Sequence, residues 1–144
     1  MRALQQTLLL LWLVSIPIHT FASDPCEKDE VTPDATAACS VQRLNEDKQA
    51  VMIEYKKLLS LLPQKPDETS EIAPSATKSW LRNAQTAWTK SVDINCEFGP
   101  AISGGEFHYV MARANSCRQK EYKRRTTQLR NWRSCIQGDA SQCP

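Results

Sequence analysis

The chain has 144 residues, with 18 Lys and Arg against 16 Asp and Glu and 41% hydrophobic residues. The length suits one small domain, and a formal net charge of +2 is too little for a chain that works mainly by binding nucleic acid.

From the amino terminus, Arg2 is followed by an apolar run from Leu8 to Ile18 and then by Thr20, Phe21 and Ala22. The run is too short for a comfortable membrane span and matches a secretory signal peptide, residues 1–22, with small residues where a signal peptidase reads. Cleavage after Ala22 leaves a single domain, residues 23–144, and no cysteine stands at that site to carry a lipid anchor. All six cysteines, Cys26, Cys39, Cys96, Cys117, Cys135 and Cys143, lie in the remaining part. An even number in an exported chain reads as disulfides. A metal site is disfavoured, because there is no CxxC pair and His108 is the single histidine beyond the signal; no cofactor is expected.

A first helix is expected from about Pro33 to Leu62, with Thr32 as N-cap and Pro33 in the first turn. Val41, Leu44, Lys48, Val51, Tyr55, Leu58 and Leu62 fall on one face, with the Lys48 stem lying along apolar surface. Pro63 and Pro66 end it, and PQKPDETSEIA reads as a polar linker. Pro74 opens a second helix to about Cys96, with Trp80, Leu81, Ala84, Trp88 and Val92 on its apolar face and Gly99 and Pro100 closing it. A glycine-rich loop follows, within CEFGPAISGGEFHYV, a stretch holding three of the four glycines. The third helix runs from about Phe107 to Cys135, with Met111, Ala114, Tyr122, Leu129, Trp132 and Ile136 in step and Lys120, Lys123, Arg124 and Arg130 on the other side.

These features predict an all-α fold, an up-down-up antiparallel three-helix bundle stapled by disulfides. Cys135 and Cys143 share one end, so that pair is the expected bond; Cys26, Cys39, Cys96 and Cys117 share the other, and three pairings stay open. Residues 23–72 carry eleven acids and six bases, and residues 73–144 five acids and eleven bases. Two such halves packing against each other compensate in part.

Trp80, Trp88 and Trp132 read as core, because each lies on an apolar stripe. Gln85 suits a helix interface. Arg125 lies on the inner side of its helix and needs a partner, for which Glu121 or Asp47 are candidates; it is structural first and a binding residue second. The run from Arg118 to Arg133 reads as a solvated basic face. No serine, cysteine or carboxylate set is spaced to work with His108, so no catalytic residues are expected and the protein is not an enzyme.

TPDATAAC at 32–39, AQTAWTKSVDINC at 84–96, Gly104-Gly105, Cys117, Arg125 and Leu129 resemble the lysozyme-inhibitor LprI-like family, over about residues 26–133. This is a group of small exported helical domains, largely of unknown function. The chain departs from the family pattern at Val92, Val51-Met52 and Glu121-Tyr122, and Cys135 and Cys143 are additional. The resemblance implies structural roles for Trp88, Asp93 and Arg125. It also implies a periplasmic or secreted protein-binding domain that inhibits lysozyme-like peptidoglycan hydrolases; the lack of a cysteine at the cleavage site separately predicts no membrane anchor. Such a domain needs a rigid projecting element, and the loop Gly99 to His108 fits, with Ser103, Gly104, Gly105, Glu106 and His108 as partner-binding residues. Backbone amides, Ser103 and His108 would donate to the carboxylate pair of the cleft. Two other expectations are an envelope adaptor binding a protein or anionic glycan through the basic third helix, and an immunity protein against a wall-degrading toxin.

Overall fold

In a computed structural model of the chain, Cys26, residues 32–62 and residues 74–144 are described. The signal peptide expected at 1–22 and the linker expected at 63–73 lie outside the described residues. Three long α-helices, α1 (Pro33–Leu61), α2 (Pro74–Ile102) and α3 (Phe107–Ile136), are followed by a 3-10 turn, Ala140–Gln142. No strand occurs among the described residues.

α1 starts where the sequence places it. Thr32 is extended, and its Oγ1 accepts from the Ala35 amide at 3.2 Å, with Pro33 in the first turn. α2 runs further than expected: Gly99 and Pro100 do not close it, and Pro100 lies inside its last turn. Proline normally ends a helix because its ring crowds the preceding residue and it lacks an amide hydrogen. Here the preceding residue is Gly99, which has no Cβ to crowd, and only one hydrogen bond near the helix end is forfeited. The turn is closed instead by Ser103, whose amide donates to Pro100 O at 3.2 Å and whose hydroxyl donates to Gly99 O at 3.1 Å.

α3 is the spine, and both other helices pack mainly on it. Contacts ascend together along α1 and α3: Gln119 donates to Ser40 O, Lys123 faces Asp47, and Arg133 faces Glu54. Those two helices are therefore parallel. Along α2 and α3 the contacts run in opposite senses, Cys96 with Cys117, Trp88 with Tyr122 and Gln85 with Arg125. The core joins Val51, Leu58 and Leu62 to Leu81, Val92 and Cys96, with Tyr122 and Leu129 between them.

Several expected core positions are exposed. Trp80 is 58% exposed, a correction to its assignment as core. It sits on the rim of an apolar groove with Leu58, Leu62, Leu81, Trp132 and Ile136, near the α2 start where the bundle has not yet closed around it. Val41, Lys48 and Ala84 also face solvent, whereas Glu54, unremarked in the sequence pattern, is buried. The stripe on α1 turns by one position, so Asp47 and Glu54 rather than Lys48 face α3.

The disulfides are Cys26–Cys39, Cys96–Cys117 and Cys135–Cys143. The third is the one expected. The first two resolve the open pairings: one ties the segment before α1 onto its first turns, and the other ties α2 to α3.

Candidate functional site

The α2–α3 corner is tighter than the loop expected at Gly99 to His108. Only residues 103–106 lie outside helix. Gly104 and Gly105 have φ of 68° and 113°, a region other residues seldom enter, so the reversal requires both glycines. A Cβ on Gly105 would also meet Arg113 Nη2 at 3.3 Å. That guanidinium reaches back from α3 and donates to Gly104 O, clamping the turn from below. Cys96–Cys117 holds the two helices just behind it, with Cys96 fully buried. Arg118, next to Cys117, adds a second tie: it bonds Glu97, and its Nε lies 3.6 Å from Asp93 Oδ1. Asp93 thus helps to hold the corner.

The structure brings the five sequence-selected residues together at this corner, all exposed. Their capacities differ from those expected of them. The Ser103 hydroxyl and amide are both engaged in ending α2, and the Gly104 amide donates to Ala101 O. Glu106 is the N-cap residue of α3 but makes no side-chain cap. Its carboxylate lies 3.5 Å from His108 Nδ1. The His108 ring packs against Tyr109, with centroids 4.1 Å apart. The first amides of α3 precede any intrahelical acceptor, so those of Phe107 and His108 remain available to an outside acceptor.

Sequence reasoning missed the apolar surface around the turn. Ile94, Phe98 and Ile102 are spaced by four on the outward side of α2, and Phe107 and Tyr109 flank them from α3; each is more than half exposed. The signal was the i, i+4 repeat of large apolar residues beside a glycine turn, on a helix whose inner face was already filled by Val92 and Cys96. Beside them a shallow concavity of about 560 Å³ is lined by Ser103, Gly104, Gly105, Tyr109, Ala112, Arg113 and Ser116.

Deeper in the bundle, Arg125 is buried, and its partners are not the expected acids. Nε donates to Gln85 Oε1 at 3.1 Å and Nη1 to Gln128 Oε1 at 2.6 Å. The guanidinium carbon lies 5.3 Å from the Trp88 ring centre and 5.1 Å from that of Trp132. Glu121 instead bonds Arg124, and Asp47 faces Lys123. Burial pushes the Arg125 pKa down from the usual arginine value. The elements Gln85, Trp88, Cys96, Cys117 and Arg125 are thus one packed unit. The lysozyme inhibitor LprI family model matches residues 26–129, which contain that unit and the corner.

The chain belongs to the lysozyme inhibitor LprI family. Neither a curated protein nor a solved structure matches it. The LprI match takes in two of the three disulfides and stops before Cys135–Cys143, so the third staple and the carboxyl-terminal turn lie beyond the family's common part. Among the described residues there is no helix long and apolar enough to cross a membrane and no cluster of His, Cys, Asp and Glu suited to a metal ion.

Proposed function

We propose that this protein is exported to the periplasm or beyond the cell and inhibits lysozyme-like peptidoglycan hydrolases without catalytic activity of its own, using the α2–α3 corner as a wedge. Family membership supports the target class. The observation that carries the choice of surface is the exposure of Phe98, Ile102, Phe107 and Tyr109 around a turn held by Cys96–Cys117 and by Arg113. Exposed aromatic and aliphatic side chains on a rigid support are what a binding hot spot requires, because little ordering entropy is lost on docking. The amides of Phe107 and His108 would donate to a cleft carboxylate, and the His108 imidazole, when protonated, would offset the adjacent Glu106. Three disulfides suit an oxidising compartment.

The adaptor reading through the basic side of α3 has less to support it. Lys123, Arg124, Arg130 and Arg133 already face acids of this chain, leaving few free cations on that side.

The test is to follow cell-wall lysis by several lysozymes in the presence of the purified oxidised protein. Inhibition by at least one is expected at micromolar excess. Replacing Phe107 and Tyr109 together by Ala should weaken it by about tenfold or more while leaving the fold intact, because both are exposed. No slowing of any lysozyme removes the inhibitor reading. Inhibition that survives this double substitution, and also survives replacement of Ser103, Glu106 and His108 with the glycines kept, removes the corner as the contact.

A further inference from the structure

A second site lies about 25 Å along α3 from the corner. Arg125 is 5% exposed, yet its Nη2 is buried with no hydrogen-bond partner. No carboxylate among the described residues forms an ion pair with it; its contacts are two amide oxygens and two indole faces. A buried cation matched only by neutral acceptors carries an unoffset desolvation cost, which an anion would relieve. Arg125 lines a cavity of about 760 Å³, within the range of small-molecule sites. Its walls present the side-chain amides of Asn131 and Gln142 and the hydroxyl oxygens of Thr127 and Ser141, whose hydrogens are already donated to Lys123 O and Asp139 Oδ1. Arg124 and Glu121 also line it and pair with each other, Cys143 and Pro144 complete the wall, and no side-chain acid of the lining pairs with Arg125.

We propose that this cavity binds a small carboxylate-bearing ligand on Arg125. Gln128 marks the position. It is exposed, and its amide oxygen already accepts from Nη1, where one carboxylate oxygen would sit. Rotation of Gln128 into solvent opens the Nη1–Nη2 edge to a bidentate carboxylate, the geometry for which a guanidinium fork is built. Trp88 and Trp132 hold the fork in plane, and hydroxyls and amides around the rim meet the ligand's polar body. The wall formed by Ser141 and Gln142 is held by Cys135–Cys143, so the site depends on the segment beyond the LprI match.

The test is titration of the purified oxidised protein with sodium glucuronate and with N-acetylalanine, using glucose and N-acetylalanine amide as neutral controls. Calorimetry and tryptophan fluorescence read binding, since Trp88 and Trp132 flank the guanidinium. Saturable binding of at least one acid is expected, with neither neutral control binding. A response to glucuronate alone identifies an acidic saccharide as the ligand source, and a response to N-acetylalanine alone a peptide carboxyl end; each supports the site. Gln128→Glu supplies an internal carboxylate, and is expected to raise the melting temperature and weaken acid binding by about tenfold or more. Failure of both acids to saturate, equal responses from the neutral controls, or unaltered acid binding by Gln128→Glu overturns the proposal.

Discussion

The two faces of α3 each bury one charge, and they settle it by opposite means. Towards α1, Glu54 is met by three bases: Lys57 Nζ at 3.2 Å, Arg133 Nη2 at 3.3 Å and Arg130 Nε at 3.5 Å. Towards α2, Arg125 meets no acid among the described residues and rests on Gln85, Gln128, Trp88 and Trp132. Burial by itself would raise the Glu54 pKa, but the hydrogen bond from Lys57 and the charge of Arg133 outweigh it and hold the carboxyl below the usual glutamate value. The first arrangement is electrostatically closed. The second is open on one side, and of the two it is the one proposed above to take a ligand. A buried charge is thus not one kind of feature: its surroundings decide whether it glues helices or waits for a ligand.

The largest test of this contrast is Arg125 itself. Arg125→Ala removes two charged hydrogen bonds and two cation–π contacts and leaves a hole, and should cost about 3–4 kcal/mol in urea unfolding. Arg125→Met keeps the stem and sheds the uncompensated charge, so it should cost less than about 1.5 kcal/mol. An equal loss in both variants would show that the guanidinium, not the packing, holds this interface. Glu54→Gln should cost about 2 kcal/mol at neutral pH, a value discounted because Lys57 and Arg130 are half exposed. Because the folded pKa of Glu54 is depressed, its stabilisation is fully present above the unfolded glutamate pKa, about 4.3, and is lost as pH falls through the lower folded value. Wild type should therefore lose stability more steeply than Glu54→Gln in that acid window; parallel curves would break the comparison. The smallest effect is expected at Lys123, whose ammonium lies 3.9 Å from Asp47 and is 69% exposed. Lys123→Ala should change stability by about 0.5 kcal/mol or less, and high salt should erase that difference.

Helix boundaries set by local chemistry were legible in the sequence. Thr32 before Pro33 marks an N-cap, and Gly104-Gly105 marks a reversal, because each acts within a few residues of itself. Gln85 and Arg125 were also legible as interface residues from their place beside apolar stripes, although their bonding to each other was not. What was missed depends on distant neighbours. Glu54 lies between Val51 and Leu58 on the inner side of α1, and besides its neighbour Lys57 its burial draws on Arg130 and Arg133, far along the chain. Trp80 satisfies the stripe on α2 and is left outside by the way α1 and α3 end around it. Pro100 followed a general rule in sequence and escaped it through the glycine before it. The apolar rim of the corner was visible residue by residue, yet its meaning came only once Val92 and Cys96 were seen to fill the other side of the same helix.

The spine helix is also the last of the three to be made. α1 and α2 bury their apolar sides mainly against α3, so neither finds its partner while the chain is still emerging. The polypeptide therefore stays open until almost its whole length is available, and Cys96 cannot meet Cys117 before then. If the chain is exported as proposed above, this order of assembly is a built-in delay: it would remain threadable during transit and close on arrival, where an oxidant can lock it.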